Sequence, residues 1–311
     1  MQEIVQALRD VNATRYMTAV GLTVLLYDHV LTFCDEVRLV WRAPSSFPKY
    51  AFLFNRYLVP VCLLLVSYEM CGFVGEAFTD EGCRRLLFAC SMLSLASVAV
   101  GNILVLMRVV ILWDRRRAVM ELMVAGFIVC FSAQSALMVI SLVKFWPGLQ
   151  WNSVAGMCIT TTKTPFFSGV WAAPMFFEVL VLVSTVLNAL DRPSQAALPI
   201  TRSLHRDGIT YFLAVTCFRV LNLTLSIVAQ PSETMVVVFF IWGMTTTILN
   251  RSLLRMRKME LSYLEETEET EEMLGRSSPF GASDSVVIVD LDAPPHRSSR
   301  WLELNKMSNE F

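Results

Sequence analysis

The hydrophobic residues of the chain gather into seven long runs that are separated by shorter polar connections. A helix needs roughly 20 apolar residues to cross the hydrocarbon core of a bilayer, and most of the runs are close to that length. The pattern therefore predicts an all-α integral membrane bundle over residues 16–250, with a short N-terminal segment, 1–15, and a tail, 251–311. The seven predicted transmembrane helices are approximately Tyr16–Cys34, Ala51–Cys71, Leu86–Val110, Val119–Val143, Gly169–Leu190, Gly208–Ala229 and Thr234–Leu249.

Composition supports the membrane assignment and divides the charge into two parts. Hydrophobic residues make up 55% of the chain and charged residues only 17%, against about 25% charged in soluble domains. Residues 1–260 carry 22 Lys and Arg against 16 Asp and Glu, whereas residues 261–311 carry 4 against 11. The net charge of −1 thus conceals a basic body and an acidic tail. The basic residues form no stripe, which argues against nucleic-acid binding.

The distribution of basic residues among the connections predicts the orientation, because cytoplasmic loops are enriched in Lys and Arg. One set of connections carries 13 Lys and Arg, and the opposite set carries six. The richer set comprises residues 35–50, 111–118, 191–207 and 250–260, and the poorer set comprises the N-terminus, 72–85, 144–168 and 230–233. We therefore expect an extracellular N-terminus, a cytoplasmic C-terminus and residence in the plasma membrane.

Two of the eight cysteines predict a disulfide. Cys83 stands just before the third span, and Cys158 lies in the long loop after the fourth. Both belong to the predicted outer side, where the environment is oxidising. A Cys83–Cys158 bond would tie this loop over the mouth of the bundle; the alternative is that one or both are free thiols.

Four polar residues inside the predicted spans are candidates for a ligand cavity: Asp28, Asn102, Glu178 and Arg219. Ionisable residues within a membrane are costly and usually face the bundle interior. Glu178 and Arg219 both lie near the middle of neighbouring spans, so they are expected to form an ion pair. Two interpretations stay open: the residues line a polar cavity that contacts a ligand, or they only specify how the helices pair.

The chain lacks residues that several kinds of seven-helix enzyme or photoreceptor require. The seventh span contains no Lys for a retinal Schiff base. The chain has only three His, too few for a seven-helix zinc hydrolase. The Gly-x-Ser-x-Gly, P-loop and Cys-x-x-Cys motifs are missing. We therefore expect no enzyme activity, no catalytic residue, no metal site and no cofactor.

The charge pattern of the tail predicts a cytosolic segment with one basic and one acidic block. A basic stub, Arg251–Lys258, follows the last span and is expected to lie against anionic lipid headgroups. An acidic run, Glu265–Glu272, comes next, and the rest is rich in Ser and Pro. We expect disorder in that remainder, with a cytosolic partner as one use of the tail.

The first span and its surroundings resemble the N-terminal signature of a basidiomycete family of seven-helix membrane proteins, catalogued as domain of unknown function 6533. The matching positions are Tyr27-Asp28-His29, Glu36-Val37-Arg38, Trp41 and Asn55-Arg56-Tyr57-Leu58, and the signature covers about residues 16–60. The resemblance implies a seven-helix architecture and a fungal source. It implies no activity, because the family has none established.

A second resemblance, to rhodopsin-like G-protein-coupled receptors, concerns layout. In that family a Cys at the outer end of the third helix bridges to the loop after the fourth, and an Arg closes the inner end of the third helix. Here Cys83 and Arg108 are 25 residues apart, roughly 37 Å of helix, so Arg108 is a candidate inner-end switch. The acidic and Tyr neighbours of the receptor Arg are missing, as is Asn-Pro-x-x-Tyr in the seventh span.

Three functional hypotheses follow. The first is a receptor-like protein that senses a small-molecule or peptide ligand through the polar cavity. The second is a transporter, channel or accessory membrane protein that uses the same cavity. The third is a membrane scaffold without a ligand, acting through its tail.

Overall fold

The computed structural model describes residues 2–71, 73, 79–113, 116–152, 155–160, 162, 164–191, 199–228 and 231–276. Seven helices dominate it, and each contains a segment long and apolar enough to cross a membrane. This confirms the predicted all-α bundle of a multi-pass membrane protein, while the orientation of the termini stays a prediction. The helices are α1 Gln2–Glu36, α2 Phe47–Met70, α3 Asp80–Leu112, α4 Arg117–Phe145, α5 Phe166–Asp191, α6 Pro199–Val228 and α7 Pro231–Arg276.

The first and last helices extend well beyond their predicted spans. The segment expected to precede the bundle, 1–15, is helical from Gln2 onward as part of α1. Helix α7 passes the expected end at Leu249 and continues through the basic stub and the acidic run to Arg276. Glu, Met, Leu, Lys and Arg predominate in this extension, and all are good helix formers. The rest of the tail, residues 277–311, lies outside the described residues.

Helices α1 and α7 pack closely because glycines face each other where they cross. A Cβ atom added at Gly21 would lie 2.9 Å from the Cα atom of Phe240. One added at Gly243 would lie 3.1 Å from the carbonyl oxygen of Gly21. Small residues at such crossings let membrane helices approach at backbone distance. This contact brings α7 beside α1 and α2, where a short π-helix, Val37–Trp41, follows α1.

The long loop after α4 folds into a β-hairpin that the sequence analysis did not predict. A short 3-10 turn, Trp146–Gly148, leads into strand β1, Leu149–Asn152, which pairs antiparallel with β2, Met157–Thr160. Gly156 lies in the connection with a φ of 59°, which is a conformation that favours glycine. The hairpin lies across one end of the bundle.

A disulfide and a backbone hydrogen bond fix the hairpin to α3. Cys83, in the first turn of α3, is bonded to Cys158 of β2, with a Cα–Cα separation of 5.7 Å. The structure thus contains the pairing expected from the sequence. Nearby, the amide of Trp151 donates to the Asp80 carboxylate over 2.7 Å.

Polar side chains of α1 and α2 hold the other edge of the hairpin. The buried Glu69 carboxylate accepts a hydrogen bond of 2.7 Å from the amide of Cys158. The Arg15 guanidinium donates to the carbonyl oxygens of Met70 and Ala155. The hairpin is therefore attached to three helices, and it covers the end of the bundle where the cavities described next are found.

Candidate functional site

Two adjoining cavities lie beneath the hairpin. The deep cavity, of about 80 Å³, is enclosed by α3, α4, α5, α6 and α7. The hairpin cavity, of about 110 Å³, lies between the hairpin and the ends of α1, α2 and α3. Four residues contribute to the walls of both: Leu87, Cys90, Phe145 and Phe239. Because the two cavities share these walls, they adjoin each other. Together they lead from the hairpin toward the middle of the bundle.

The walls of the deep cavity are largely apolar, with polar side chains from four of its helices. Apolar walls with a few placed polar groups are typical of small-molecule sites. The larger apolar wall residues are Leu87, Val98, Met138, Leu142, Phe145, Phe167, Val170, Trp171, Val238, Phe239, Ile241 and Trp242. The polar ones are Ser91, Ser94, Gln134, Ser141, Arg219, Asn222 and Thr245.

Three wall residues carry polar atoms that have no hydrogen-bond partner among the described residues. They are the hydroxyl of Ser141, the indole nitrogen of Trp171 and both polar atoms of the Asn222 carboxamide. Ser141 is fully buried and Asn222 is 2% exposed. A buried polar group without a partner costs about 1–3 kcal/mol. Because the three residues line one cavity, small adjustments of their side chains would bring these atoms to a bound molecule or an ordered water there.

The ion pair expected between Glu178 and Arg219 is present beside the deep cavity. The Arg219 Nε donates to Oε1 of Glu178 over 3.1 Å, and both side chains are buried. Arg219 forms part of the cavity wall, whereas Glu178 lies behind it. The second carboxylate oxygen of Glu178 has no partner among the residues that the structure describes. The pair joins α5 to α6 and neutralises the arginine.

The other two residues of the predicted cavity lie elsewhere. Asp28 forms an ion pair with Arg251, because the close packing of α1 against α7 places its carboxylate beside the end of the last span. Asn102 is buried in α3 but contributes to the wall of neither cavity. Of the four candidates, the structure brings together only Glu178 and Arg219, and only Arg219 lines either of the two cavities beneath the hairpin.

Arg108, the candidate inner-end switch, lies at the end of the bundle opposite the hairpin. Its Nη1 donates to the Ser252 hydroxyl of α7 over 3.0 Å. Its Nε and Nη2 are buried without a hydrogen-bond partner in the described part of the chain. Arg108 therefore joins α3 to α7, and its role as a switch stays a prediction.

A polar network around the buried Glu36–Arg56 ion pair, which the sequence patterns did not predict, joins α1, the π-helix and α2, although its Trp41 and Tyr57 side chains are exposed. We call it the signature cluster and define it as Thr32, Glu36, Trp41, Arg56 and Tyr57. Glu36 accepts hydrogen bonds from Trp41 at 2.9 Å, from Arg56 at 2.6 Å and from Tyr57 at 2.8 Å. Arg56 also donates to Thr32 over 2.8 Å, and both members of the ion pair have side chains that are 0% exposed.

The sequence contained a signal for this cluster. Four residues of the cluster are among the positions that carry the resemblance to the uncharacterised family: Glu36, Trp41, Arg56 and Tyr57. A motif of this kind does not by itself say which of its residues are partners. Glu36 and Arg56 stand on either side of the connection between two predicted spans. Since such a connection makes neighbouring helices antiparallel, it brings the opposite charges face to face.

A second set of hydrogen bonds reaches from this region to the deep cavity. The hydroxyl of Ser97, on α3, donates to the Asn55 carboxamide of α2 over 2.5 Å. The same hydroxyl accepts a hydrogen bond of 3.2 Å from the indole of Trp242, on α7. Trp242 is a wall residue of the deep cavity. One side chain therefore joins the cavity wall to the helix that carries Arg56.

No curated protein matches the chain. Residues 16–61 are similar to a family of unknown function, DUF6533. This segment runs from within α1 through the π-helix into the first part of α2, and it includes every residue of the signature cluster.

Proposed function

We propose that this multi-pass membrane protein is a receptor-like sensor that binds a small ligand in the deep cavity. The observation that carries the proposal is the set of unpartnered polar atoms on Ser141, Trp171 and Asn222 within apolar walls. A site of this kind offers a ligand both burial and hydrogen bonds that the protein cannot make by itself. The proposal places the protein in the plasma membrane with the hairpin outside.

The attachment of the hairpin favours sensing over transport. A transporter exposes its central site to each side of the membrane in turn, so its outer cover has to move away. Here a disulfide fixes the cover to α3, and Arg15 and Glu69 fix it to α1 and α2. A fixed cover suits a site that a small molecule enters and leaves by the same route.

The hydrogen bonds of Ser97 offer a route by which cavity occupancy affects the rest of the bundle. A ligand in the deep cavity would touch Trp242, whose indole is bonded to Ser97 and through it to Asn55. Coupling of this kind requires an element with two arrangements whose equilibrium the ligand changes. We propose that the contact between α7 and the α1–α2 pair is that element.

The readout in this proposal is a cytosolic partner at the end opposite the hairpin. There Arg108 joins α3 to α7, and α7 continues beyond the last span as far as Arg276. A shift of α7 would change both the surroundings of Arg108 and the position of this extension.

The native thiol of Cys90 provides a test, because it is 6% exposed and lines both cavities. The other five free cysteines are replaced by alanine and the disulfide is kept. Methyl methanethiosulfonate, small and uncharged, measures access to Cys90. A charged, membrane-impermeant methanethiosulfonate, applied to intact cells or to inside-out vesicles, then identifies the side of entry. A protein whose single free thiol is Cys62, which is buried and lines neither cavity, is the matched control.

We expect Cys90 to react with the small reagent, and with the impermeant one only from the side of the hairpin. Reaction from both sides would contradict the proposal and support a transporter or channel. A Cys90 that reacts no faster than Cys62 would show that ligands do not reach the cavity. Labelling of the exposed Cys71, at the hairpin end of α2, on intact cells tests the orientation separately.

A further inference from the structure

We infer that the ligand of the deep cavity is a small, uncharged and mostly apolar molecule that carries a primary carboxamide, with Asn222 as its anchor. This inference rests on the proposed function and names the ligand class of the same site. It depends on the chemistry of three features: the Asn222 side chain, the charge of the wall, and the shape of the two cavities.

The Asn222 side chain presents a donor and an acceptor side by side. Its Nδ2 and Oδ1 both lack hydrogen-bond partners among the described residues, although the residue is 2% exposed. A carboxamide matches both atoms at once, since its N–H donates to Oδ1 while its carbonyl oxygen accepts from Nδ2. Two further groups line the same cavity. The Ser141 hydroxyl would accept the second N–H of the ligand's carboxamide, and the Trp171 indole would donate to the second lone pair of its carbonyl oxygen.

The charge of the wall favours an uncharged ligand. Among the residues that the structure describes, Arg219 is the one formally charged residue that lines the deep cavity, and it is neutralised by Glu178 at 3.1 Å. A carboxylate ligand would add a second negative charge beside the one guanidinium that already neutralises Glu178, so one buried charge would stay uncompensated. An ammonium ligand would meet no anionic side chain among the described residues of this wall. Burying an unpaired charge is costly, so both are disfavoured.

The dimensions favour a short apolar body attached to the amide. The deep cavity is about 80 Å³ and the adjoining hairpin cavity about 110 Å³, whereas a dry cavity of about 150 Å³ holds a benzene molecule. Leu87, Cys90, Phe145 and Phe239 surround the junction of the two cavities. A chain of a few methylene groups, starting at Asn222, would pass Cys90 on its way toward the hairpin.

The test measures how far small probes protect Cys90 from methyl methanethiosulfonate in the protein that retains only this free thiol. The probes are hexanamide, N,N-dimethylhexanamide, hexanoate and hexylammonium, which share a similar body and differ in their polar group. The comparison between hexanamide and its dimethyl analogue needs no protein variant, because it removes only the N–H donors. Asn222→Leu then removes the anchor, and Asn102→Leu is the matched control at a buried Asn outside both cavities.

We expect hexanamide to protect Cys90 at a concentration at least about tenfold below that of the other three probes, the factor that roughly one hydrogen bond supplies. Asn222→Leu should abolish this preference, and Asn102→Leu should preserve it. Equal protection by all four probes, or a preference that survives Asn222→Leu, would overturn the ligand class and leave the proposed function intact. If no probe protects a reactive Cys90, the ligand class is overturned. A Cys90 that fails to react at all would overturn the proposed function as well.

Discussion

Two of the buried carboxylates in the membrane domain, Glu36 and Glu178, differ in how completely they are satisfied. Glu36 receives three hydrogen bonds, which occupy both of its oxygens. Glu178 receives one from Arg219, and its second oxygen has no partner among the described residues. Glu36 belongs to the signature cluster of α1 and α2, whereas Glu178 stands beside a cavity whose wall contains further unpartnered polar atoms.

The difference agrees with a structural role for the Glu36–Arg56 pair and with the proposal of a ligand site in the region near Glu178. A fully satisfied polar network stabilises one arrangement of its helices, whereas a partly satisfied one is costly and needs a reason to persist. The signature cluster satisfies both oxygens of its carboxylate from α2 and the π-helix, and it leaves one nitrogen, Nη1 of Arg56, without a partner among the described residues. The region around Glu178 leaves donors and acceptors without partners, among the described residues, on side chains that line a cavity. We therefore interpret the family segment as the part that determines how α1 and α2 pair.

The largest effect is expected from Glu36→Gln, which leaves Arg56 buried without its counterion. Removing one partner of a buried ion pair costs about 3–5 kcal/mol. We expect a large fall in the apparent unfolding temperature of the detergent-solubilised protein, measured by size-exclusion chromatography after heating. The control is Glu81→Gln, which breaks an exposed ion pair with Arg85 and is expected to cost about 0–1 kcal/mol. Equal unfolding temperatures for the two variants would refute the structural role of the cluster.

The next effect concerns the hairpin, through the double substitution Cys83→Ser and Cys158→Ser. Loss of a disulfide typically costs about 2–4 kcal/mol, and the hairpin should then leave the mouth of the bundle more often. We expect faster modification of Cys90 as well as a lower unfolding temperature. The control for the Cys90 rate is the protein that keeps both the disulfide and Cys90, and Cys71→Ser in the native protein, at an exposed free cysteine, should leave the unfolding temperature unchanged. An unchanged Cys90 rate in the double variant would mean that the disulfide does not restrict entry.

Glu178→Gln should cost less than Glu36→Gln although it also removes one member of a buried ion pair. Arg219 lines the deep cavity, so water in the cavity can hydrate the guanidinium that loses its partner. We expect about 1–3 kcal/mol, measured in the same heating experiment. A loss as large as that of Glu36→Gln would contradict the distinction between the two carboxylates.

Much of this architecture followed from the sequence, and the limits have physical reasons. Span-length apolar runs predict membrane helices because the thickness of the bilayer sets their length. The Glu178–Arg219 pair could be predicted because opposite charges at similar depth in adjacent spans neutralise each other, which lowers the cost of burying them in the membrane. Asp28 could not be placed in the same way, because its partner Arg251 lies on α7, and that contact depends on the crossing at Gly21.

The deep cavity could not be predicted from sequence patterns. Ser141 and Asn222 look like ordinary polar residues in apolar spans, and whether they find partners depends on the rotation of each helix. The hairpin could not be predicted either, because its strands have four residues each. Four residues are too few to show a clear alternation of apolar and polar positions. The end of α7 was missed since a membrane-based boundary at Leu249 says nothing about whether a helix continues in water.

The smallest effect, and the finest test of the comparison, comes from replacing two buried serines by alanine. Ser141 is fully buried at the deep cavity and its hydroxyl has no partner in the described part of the chain. Ser97 is 4% exposed, and its hydroxyl bonds to both Asn55 and Trp242. The chemical change is the same, so the two variants isolate the contribution of the hydrogen bonds.

We expect Ser97→Ala to cost about 1–2 kcal/mol, because it leaves Asn55 and Trp242 with an unmet hydrogen bond each. Ser141→Ala removes a buried hydroxyl that has no partner in the described part of the chain, so the free energy of unfolding should stay the same or rise. The same heating experiment ranks the two variants. If Ser141→Ala were the more destabilising, its hydroxyl would already be satisfied in the empty protein, for instance by a tightly held water. The deep cavity would then be a hydrated structural core, and the contrast with the signature cluster would disappear.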